Sequence, residues 1–384
     1  MPFQFTRYLY IKEEVRAALL CALLSRLKDE ALFWAAELYC SGFEEETLEL
    51  LWEIYYDFYA ALNPSLETYL IRKCRDTSLP KHSLIVSIII NICLKPCTTD
   101  VYVLRHLYTC KSVSSFTSEV DFNEIFVEQD FETLTTYILG KPMTPQVMQD
   151  IQRAAMKWCG TKKYKKMRKH SCCKVSDRRR FLSHIIQICT LGVYDIPRKN
   201  RLNISDRFID KEVSGEFVKS LFDGVSLASN TSMSPRNFQE FSRTFRARNI
   251  LKVCYKYKIN ESGFLPLFQL QRHKIGDEVL LNRYRAEWLY HASRTPFWAM
   301  RLEKYGGVSN EERTVTFSDA SKEESFYELY GLEPDEQPKS VQDVCVAPIV
   351  KEAHGLKTFC AQFGGLDIFD HSGNLLFETE SVVY

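Results

Sequence analysis

Apolar residues return every three or four positions through the first sixty residues, the spacing of helices that bury one face. Val15, Ala18, Leu19, Ala22 and Leu23 predict a helix over 13–26, with Glu13 and Glu14 placed to suit the positive end of its dipole. A second helix is predicted over 29–40, ended by Ser41-Gly42, and a third over 44–62, opened by three glutamates and stopped by Asn63-Pro64. Phe33, Trp34, Trp52, Tyr55, Phe58 and Tyr59 fall on more than one face of these helices, which predicts burial on both sides, as in stacked hairpins.

The helical spacing continues over 65–75, 81–94, 100–109, 121–139, 144–158, 178–191, 237–257 and 278–304, with Pro296 expected to kink or divide the last. The run 84–94, LIVSIIINICL, reads as a buried helix, its β-branched content leaving a strand open as the alternative. Residues 226–235 are expected to form a long loop, and 314–317 alternates briefly like a strand. The fold class expected is mainly α: stacked antiparallel helical hairpins, α-solenoid-like, although no repeat of fixed period is present. The expected division is a helical-hairpin domain over 1–160, a basic connector over 161–177, a second helical region over 178–310 and an acidic, partly irregular tail with a short β element over 311–384.

Composition supports a folded body: 384 residues, 45% hydrophobic and 13% aromatic, with only 15 Gly and 13 Pro. No stretch reaches the roughly 18 uninterrupted apolar residues that a membrane span needs, so no membrane partner is expected. The 13 cysteines are irregularly spaced and several sit inside apolar helical patterns, and the first residues lack the basic-then-apolar layout of a secretory signal. They read as reduced thiols of a cytosolic or nuclear protein.

Charge changes the picture more. The formal net charge is only +1, yet residues 161–180 hold ten cations, Lys162, Lys163, Lys165, Lys166, Arg168, Lys169, Lys174, Arg178, Arg179 and Arg180, against the single acid Asp177. Like charges this dense repel one another unless water or an anion faces them. Three readings fit: a solvated segment, a surface for phosphate or nucleic acid, and a surface for an acidic protein segment, including the chain's own stretch over 311–343, where ten acids face three bases. Trp158 and Tyr164 are the only aromatics interleaved before Phe181, so contact with nucleic acid is expected to be mostly to phosphate, hence sequence-independent and weakened by salt.

Cys93-x3-Cys97-x8-His106-x3-Cys110 is the sharpest candidate metal set, because His106 and Cys110 fall one helical turn apart and four soft ligands could take zinc. The alternative is a plain buried thiol at Cys93 with no cofactor at all. Cys159, His170, Cys172 and Cys173 form a second cluster inside the basic stretch, read first as inert structure, with a redox-sensitive thiol favoured by nearby lysines and then a metal as the alternatives. His291-x-x-Arg294 followed by Tyr305 is similar to the helical motif of tyrosine recombinases, but the arginine-to-tyrosine spacing is far too short. No nucleophile elbow, dinucleotide fingerprint or paired-carboxylate motif is present, and four of the five tryptophans, Trp34, Trp52, Trp288 and Trp298, read as core, with a peptide groove as the alternative.

The stretches 31–43 (ALFWAAELYCSGF), 48–64 (LELLWEIYYDFYAALNP), 295–306 (TPFWAMRLEKYG) and 326–338 (FYELYGLEPDEQP) resemble a family of uncharacterised proteins of nucleocytoplasmic large DNA viruses. Blocks at both ends extend the likeness over most of the chain. It implies an intracellular viral protein, in the host cytoplasm, viral factory or nucleus, or in the virion, and carries over no catalytic residue. The first block is also faintly similar to the helical collar of clamp-loader ATPases, but the phosphate-binding loop of those enzymes is absent. The function expected is a non-enzymatic binding or scaffold protein that holds a polyanion, nucleic acid foremost, on the basic stretch and protein partners on its helical faces. The alternatives are a divergent enzyme or enzyme subunit of viral nucleic-acid metabolism and a structural protein of virion assembly.

Overall fold

The computed structural model describes residues 3–110, 120–160, 167, 174–193, 259, 263–330, 339 and 353–364. Among these the protein is mainly α. The first three helices, α1 (Lys12–Leu24), α2 (Lys28–Cys40) and α3 (Glu44–Ile54), follow the expected hydrophobic periodicity. The turn between α2 and α3 needs Gly42, whose φ of 94° is left-handed and whose missing Cβ would stand 2.5 Å from the Pro296 side chain. Beyond Ile54 the chain departs from the expected helix. Residues Tyr55–Tyr59 form a π turn, closed by the Ala60 amide donating to the Tyr55 carbonyl at 2.7 Å. A π turn carries one extra residue per turn and is found at functional sites more often than chance.

The chain then forms α4 (Pro64–Arg75), α5 (Lys81–Cys93), which settles the apolar run as a helix, and α6 (Asp100–Cys110). The helix expected over 121–139 is two, α7 (Phe122–Glu128) and α8 (Phe131–Gly140). Gln129 turns left-handed between them, and the Asp130 carboxylate accepts from the Thr133 amide at 3.0 Å to start the second. Next come α9 (Pro145–Trp158) and α10 (Asp177–Val193).

The element expected over 278–304 is three helices: α11 (Asp277–Arg285), α12 (Trp288–Ala292) and α13 (Pro296–Tyr305). Pro296 opens the last of these, since its missing N–H costs nothing at a first helical position. The expected strand is present as β2 (Val315–Phe317), paired antiparallel with β1 (Gly307–Ser309). Two helices stand where the tail was expected to be partly irregular, α14 (Ala320–Tyr330) and α15 (Leu356–Phe363). The expected helix over 237–257, the loop over 226–235 and the apolar runs over 366–377 lie outside the described residues. No described helix is long and apolar enough to cross a membrane.

Two hydrophobic cores organise these elements, and they divide the chain elsewhere than the boundaries expected near 160 and 178. The first joins α1, α2, α3, the π turn, α4 and α5 to Phe264, Trp288, Trp298, Phe326, Phe359 and their neighbours, so the beginning and the far end of the chain share it. The second is built by α6 to α10, from Val101 to Cys189. Polar contacts lock the first core across the chain. The Thr295 hydroxyl donates to the Phe5 carbonyl at 2.6 Å, the Trp298 indole donates to the Thr6 carbonyl at 3.2 Å, and buried Arg272 pairs with buried Glu14. All four expected core tryptophans are buried in this core.

Candidate functional site

The seam between the two cores holds a cluster of charged side chains, apart from the buried Arg272–Glu14 and Arg7–Glu37 pairs of the first core. Helices α3, α6 and α10 meet there on the π turn. Burying a carboxylate is costly unless cations and hydrogen bonds compensate, so each acid at the seam is read with its partners. Asp57, in the π turn, is buried and takes Arg105 of α6 on one oxygen and Nε of Arg179 of α10 on the other, at 3.4 Å. Burial pushes the Asp57 carboxyl upward, and the two guanidinium charges oppose that push. Glu53, one turn earlier, pairs with Arg179 Nη1 at 3.0 Å.

A second, drier group lies beside it. The Tyr56 hydroxyl donates to Glu67 at 2.9 Å and accepts from Arg180 Nε at 3.1 Å, so one phenol links α4 to α10. Arg180 completes its contacts with Asp177 at 3.0 Å and Glu67 at 4.0 Å, and His184 Nε2 lies 3.7 Å from the same Glu67 oxygen. Burial opposes ionisation of Glu67, but the nearby His184 ring, the hydrogen bond from Tyr56 and the charge of Arg180 outweigh it and hold its carboxyl below the usual glutamate value.

On the solvent side of the seam opens a cleft of about 590 Å³ whose lining includes Glu53, Arg105, Leu139, Lys174, Arg178 and Arg179. Four cations therefore line it against one acid, with the partner carboxylates Asp57 and Glu49 behind. Lys174 is exposed and pairs with Glu49 at 2.7 Å. Arg178 is exposed and donates to the Leu139 carbonyl at 2.6 Å, with no carboxylate within ion-pair distance among the described residues.

The sequence-derived basic set is thus divided. Lys162, Lys163, Lys165, Lys166, Arg168 and Lys169 lie outside the described residues. Lys174 and Arg178 face solvent at the cleft mouth, and Arg179 lines its wall with a side chain only 14% exposed. Arg180 corrects the expectation of an outward patch: its side chain is 3% exposed and turned into the Tyr56–Glu67 group, where it holds helices together. Positions two apart on a helix point to different faces, which is why Arg178 and Arg180 part company.

Arg105, Asp57 and Tyr56 were not singled out from sequence. A signal existed, since Asp57 is a lone acid in an aromatic run and Arg105 a lone cation in VYVLRHLY, and a charge so placed needs a partner.

Of the candidate zinc ligands Cys93, Cys97, His106 and Cys110, the three whose side chains are described, Cys93, Cys97 and His106, do not gather as a metal site. Burial pushes the Cys93 thiol up to about 11, the Cys97 thiol donates to the Phe363 carbonyl at 3.7 Å, and the His106 ring stacks on Tyr102 with centroids 5.8 Å apart. The Cys110 side chain lies outside the described residues, and among those described no three His, Cys, Asp or Glu side chains gather as a metal site. His291 is buried, bonded to Glu287 at 3.1 Å and edge-on to Phe3 and Phe5, so its surroundings are those of a core residue. No protein family, no curated protein and no solved structure matches the chain.

Proposed function

We propose that the protein is a non-enzymatic polyanion-binding protein that takes phosphates, nucleic acid foremost, at the cleft formed by Arg105, Lys174, Arg178 and Arg179. The observation that supports this reading is that four cations from α6, α10 and the residues leading into α10 converge on one solvent-open cavity. The six further cations between Lys162 and Lys169 precede Lys174 directly in sequence, so a long anion seated in the cleft has more positive charge within its reach.

The chemistry is displacement rather than catalysis. Phosphate oxygens replace the carboxylates of Glu49, Glu53 and Asp57 on the guanidinium and ammonium groups, and counterions leave the nucleic acid. Because the contacts are to phosphate, DNA and RNA of mixed sequence bind alike. The resemblance to proteins of large DNA viruses extends the proposal to an intracellular viral setting, with helical faces for protein partners.

A salt titration tests the binding: affinity for a mixed-sequence duplex falls linearly on a log–log plot, with a slope of about −0.9 per neutralised phosphate. Absence of binding at low salt sinks the reading.

A further inference from the structure

Unused hydrogen-bond donors gather in the cleft. Arg178 gives Nη1 to the Leu139 carbonyl at 2.6 Å, and its Nε and Nη2 meet no acceptor among the described residues. Arg179 gives Nη1 to Glu53 at 3.0 Å and Nε to Asp57 at 3.4 Å, which leaves the hydrogens of Nη2 without an acceptor among the described residues. The Ser176 hydroxyl accepts from the Arg179 amide at 3.3 Å and keeps its own hydrogen to donate. These three residues and Lys174 line the same cavity.

The cations differ in depth. The Lys174 side chain is 71% exposed, whereas those of Arg105 and Arg179 are 24% and 14% exposed. The cavity of about 590 Å³ falls in the range of about 300–1,000 Å³ for small-ligand pockets, room for one nucleotide but not for a double helix. A phosphate within a strand carries a sugar on each side and presents only two free oxygens, so both sugars must enter before those oxygens reach Arg179. A terminal phosphate carries one sugar, presents three free oxygens and holds a charge of about −1.5 to −2 at pH 7.

We propose that the cleft selects the terminal phosphate of a nucleic-acid strand, a phosphomonoester, over the phosphodiesters within the strand. The Arg178 and Arg179 guanidinium groups donate to its oxygens, Ser176 donates to one of them, and Lys174 supplies charge at the mouth. This rests on the polyanion reading of the same cleft and adds which phosphate the cleft takes.

The test compares the equilibrium binding of three single strands of mixed sequence at one salt concentration. One is 5′-phosphorylated, one is 3′-phosphorylated, and one has hydroxyls at both ends and is two nucleotides longer, so that its charge matches. At least one of the phosphorylated strands is expected to bind roughly tenfold more tightly than the hydroxyl-ended one, the scale of a hydrogen bond to a charged group, and which of them does so gives the strand polarity. Arg178→Ala and, separately, Ser176→Ala are expected to narrow that difference. Equal affinity of the three strands overturns the selection and leaves the polyanion reading in place, whereas no binding of any strand at low salt removes both. A preference unchanged in both variants puts the phosphate elsewhere and overturns the proposal. So does a free nucleoside monophosphate that binds as tightly as the phosphorylated strand, since the ligand is then a mononucleotide and not a strand end.

Discussion

Arg180, in the first turn of α10, donates to the hydroxyl of Tyr56 in the π turn at 3.1 Å, and that hydroxyl in turn donates to Glu67 of α4 at 2.9 Å. One phenolic oxygen therefore joins three elements drawn from both cores, inside a region from which water is excluded.

Tyr56→Phe keeps the ring and its stacking on Trp52, with centroids 5.9 Å apart, but removes the oxygen that Arg180 and Glu67 share. Leaving two buried polar groups each short of a partner costs about 1–3 kcal/mol. Urea denaturation measures it, and a loss below about 0.5 kcal/mol, the range of ordinary surface changes, refutes the linking role.

Asp57 and Arg178 separate stability from binding. Asp57→Asn replaces an acceptor oxygen with a donor facing an arginine, so the fold loses about 1–3 kcal/mol, the cost of a buried polar group left without its partner; the negative charge, which burial opposes, adds nothing to that loss. The same change removes a carboxylate that competes for the cleft cations, so affinity for a polyanion rises. Arg178→Ala acts oppositely: stability stays within about 0.5 kcal/mol, while the salt slope of binding falls by about 0.9. Thermal denaturation and the salt titration read the two effects side by side; an Asp57→Asn variant that binds more weakly contradicts the cleft geometry.

Acid should unlatch the Tyr56 group. The Glu67 carboxyl is held below its ordinary value of 4.5 in the fold, so its ionised form contributes stability that is present above that value and is lost as pH falls through the lower, folded one. Asp57 and Glu14 are pushed upward by burial and work in the opposite sense over the range above their ordinary values. Glu67→Gln therefore flattens the acid limb of the stability profile below 4.5 relative to the wild type. Equal acid slopes in the two proteins would show that Glu67 carries no such stabilisation.

Gly42 is fixed by two independent demands. Its φ of 94° is one that side chains avoid, and a Cβ would lie 2.5 Å from the Pro296 ring. Gly42→Ala is expected to lose about 1–3 kcal/mol, the cost of a strained backbone position, with the clash added. Pro296→Gly removes the Cβ that stands 2.5 Å away together with the rest of the ring, without disturbing a hydrogen bond. It should relieve only the clash, so a full rescue in the double variant rules out the backbone term.

The sequence showed the helices of the first core because aromatic and aliphatic residues return there at the helical period and Gly42 and Pro64 mark the ends. It hid the π turn. Tyr55 to Tyr59 has the composition of a continuing helix, and the groups that Asp57 meets there, Arg105 and Arg179, lie far away in the chain. The helices α14 and α15 were obscured for a related reason: acidic or glycine-bearing surroundings suggest an irregular tail, while Phe326, Phe359 and Phe363 supply the apolar contacts that anchor them. For the basic stretch, the sign of the charge was legible and its direction was not. Side-chain direction follows from helix phase, which turned Arg178 out to the cleft and Arg180 in to Tyr56.

The first core has a consequence for how the molecule is made. Phe58 meets Phe359 at 6.3 Å and Phe5 faces Tyr284 at 6.0 Å, so these residues wait for partners translated roughly three hundred codons later. Until then the nascent amino-terminal helices carry uncovered aromatic surface, which makes chaperone capture during translation a natural stage in the birth of this fold.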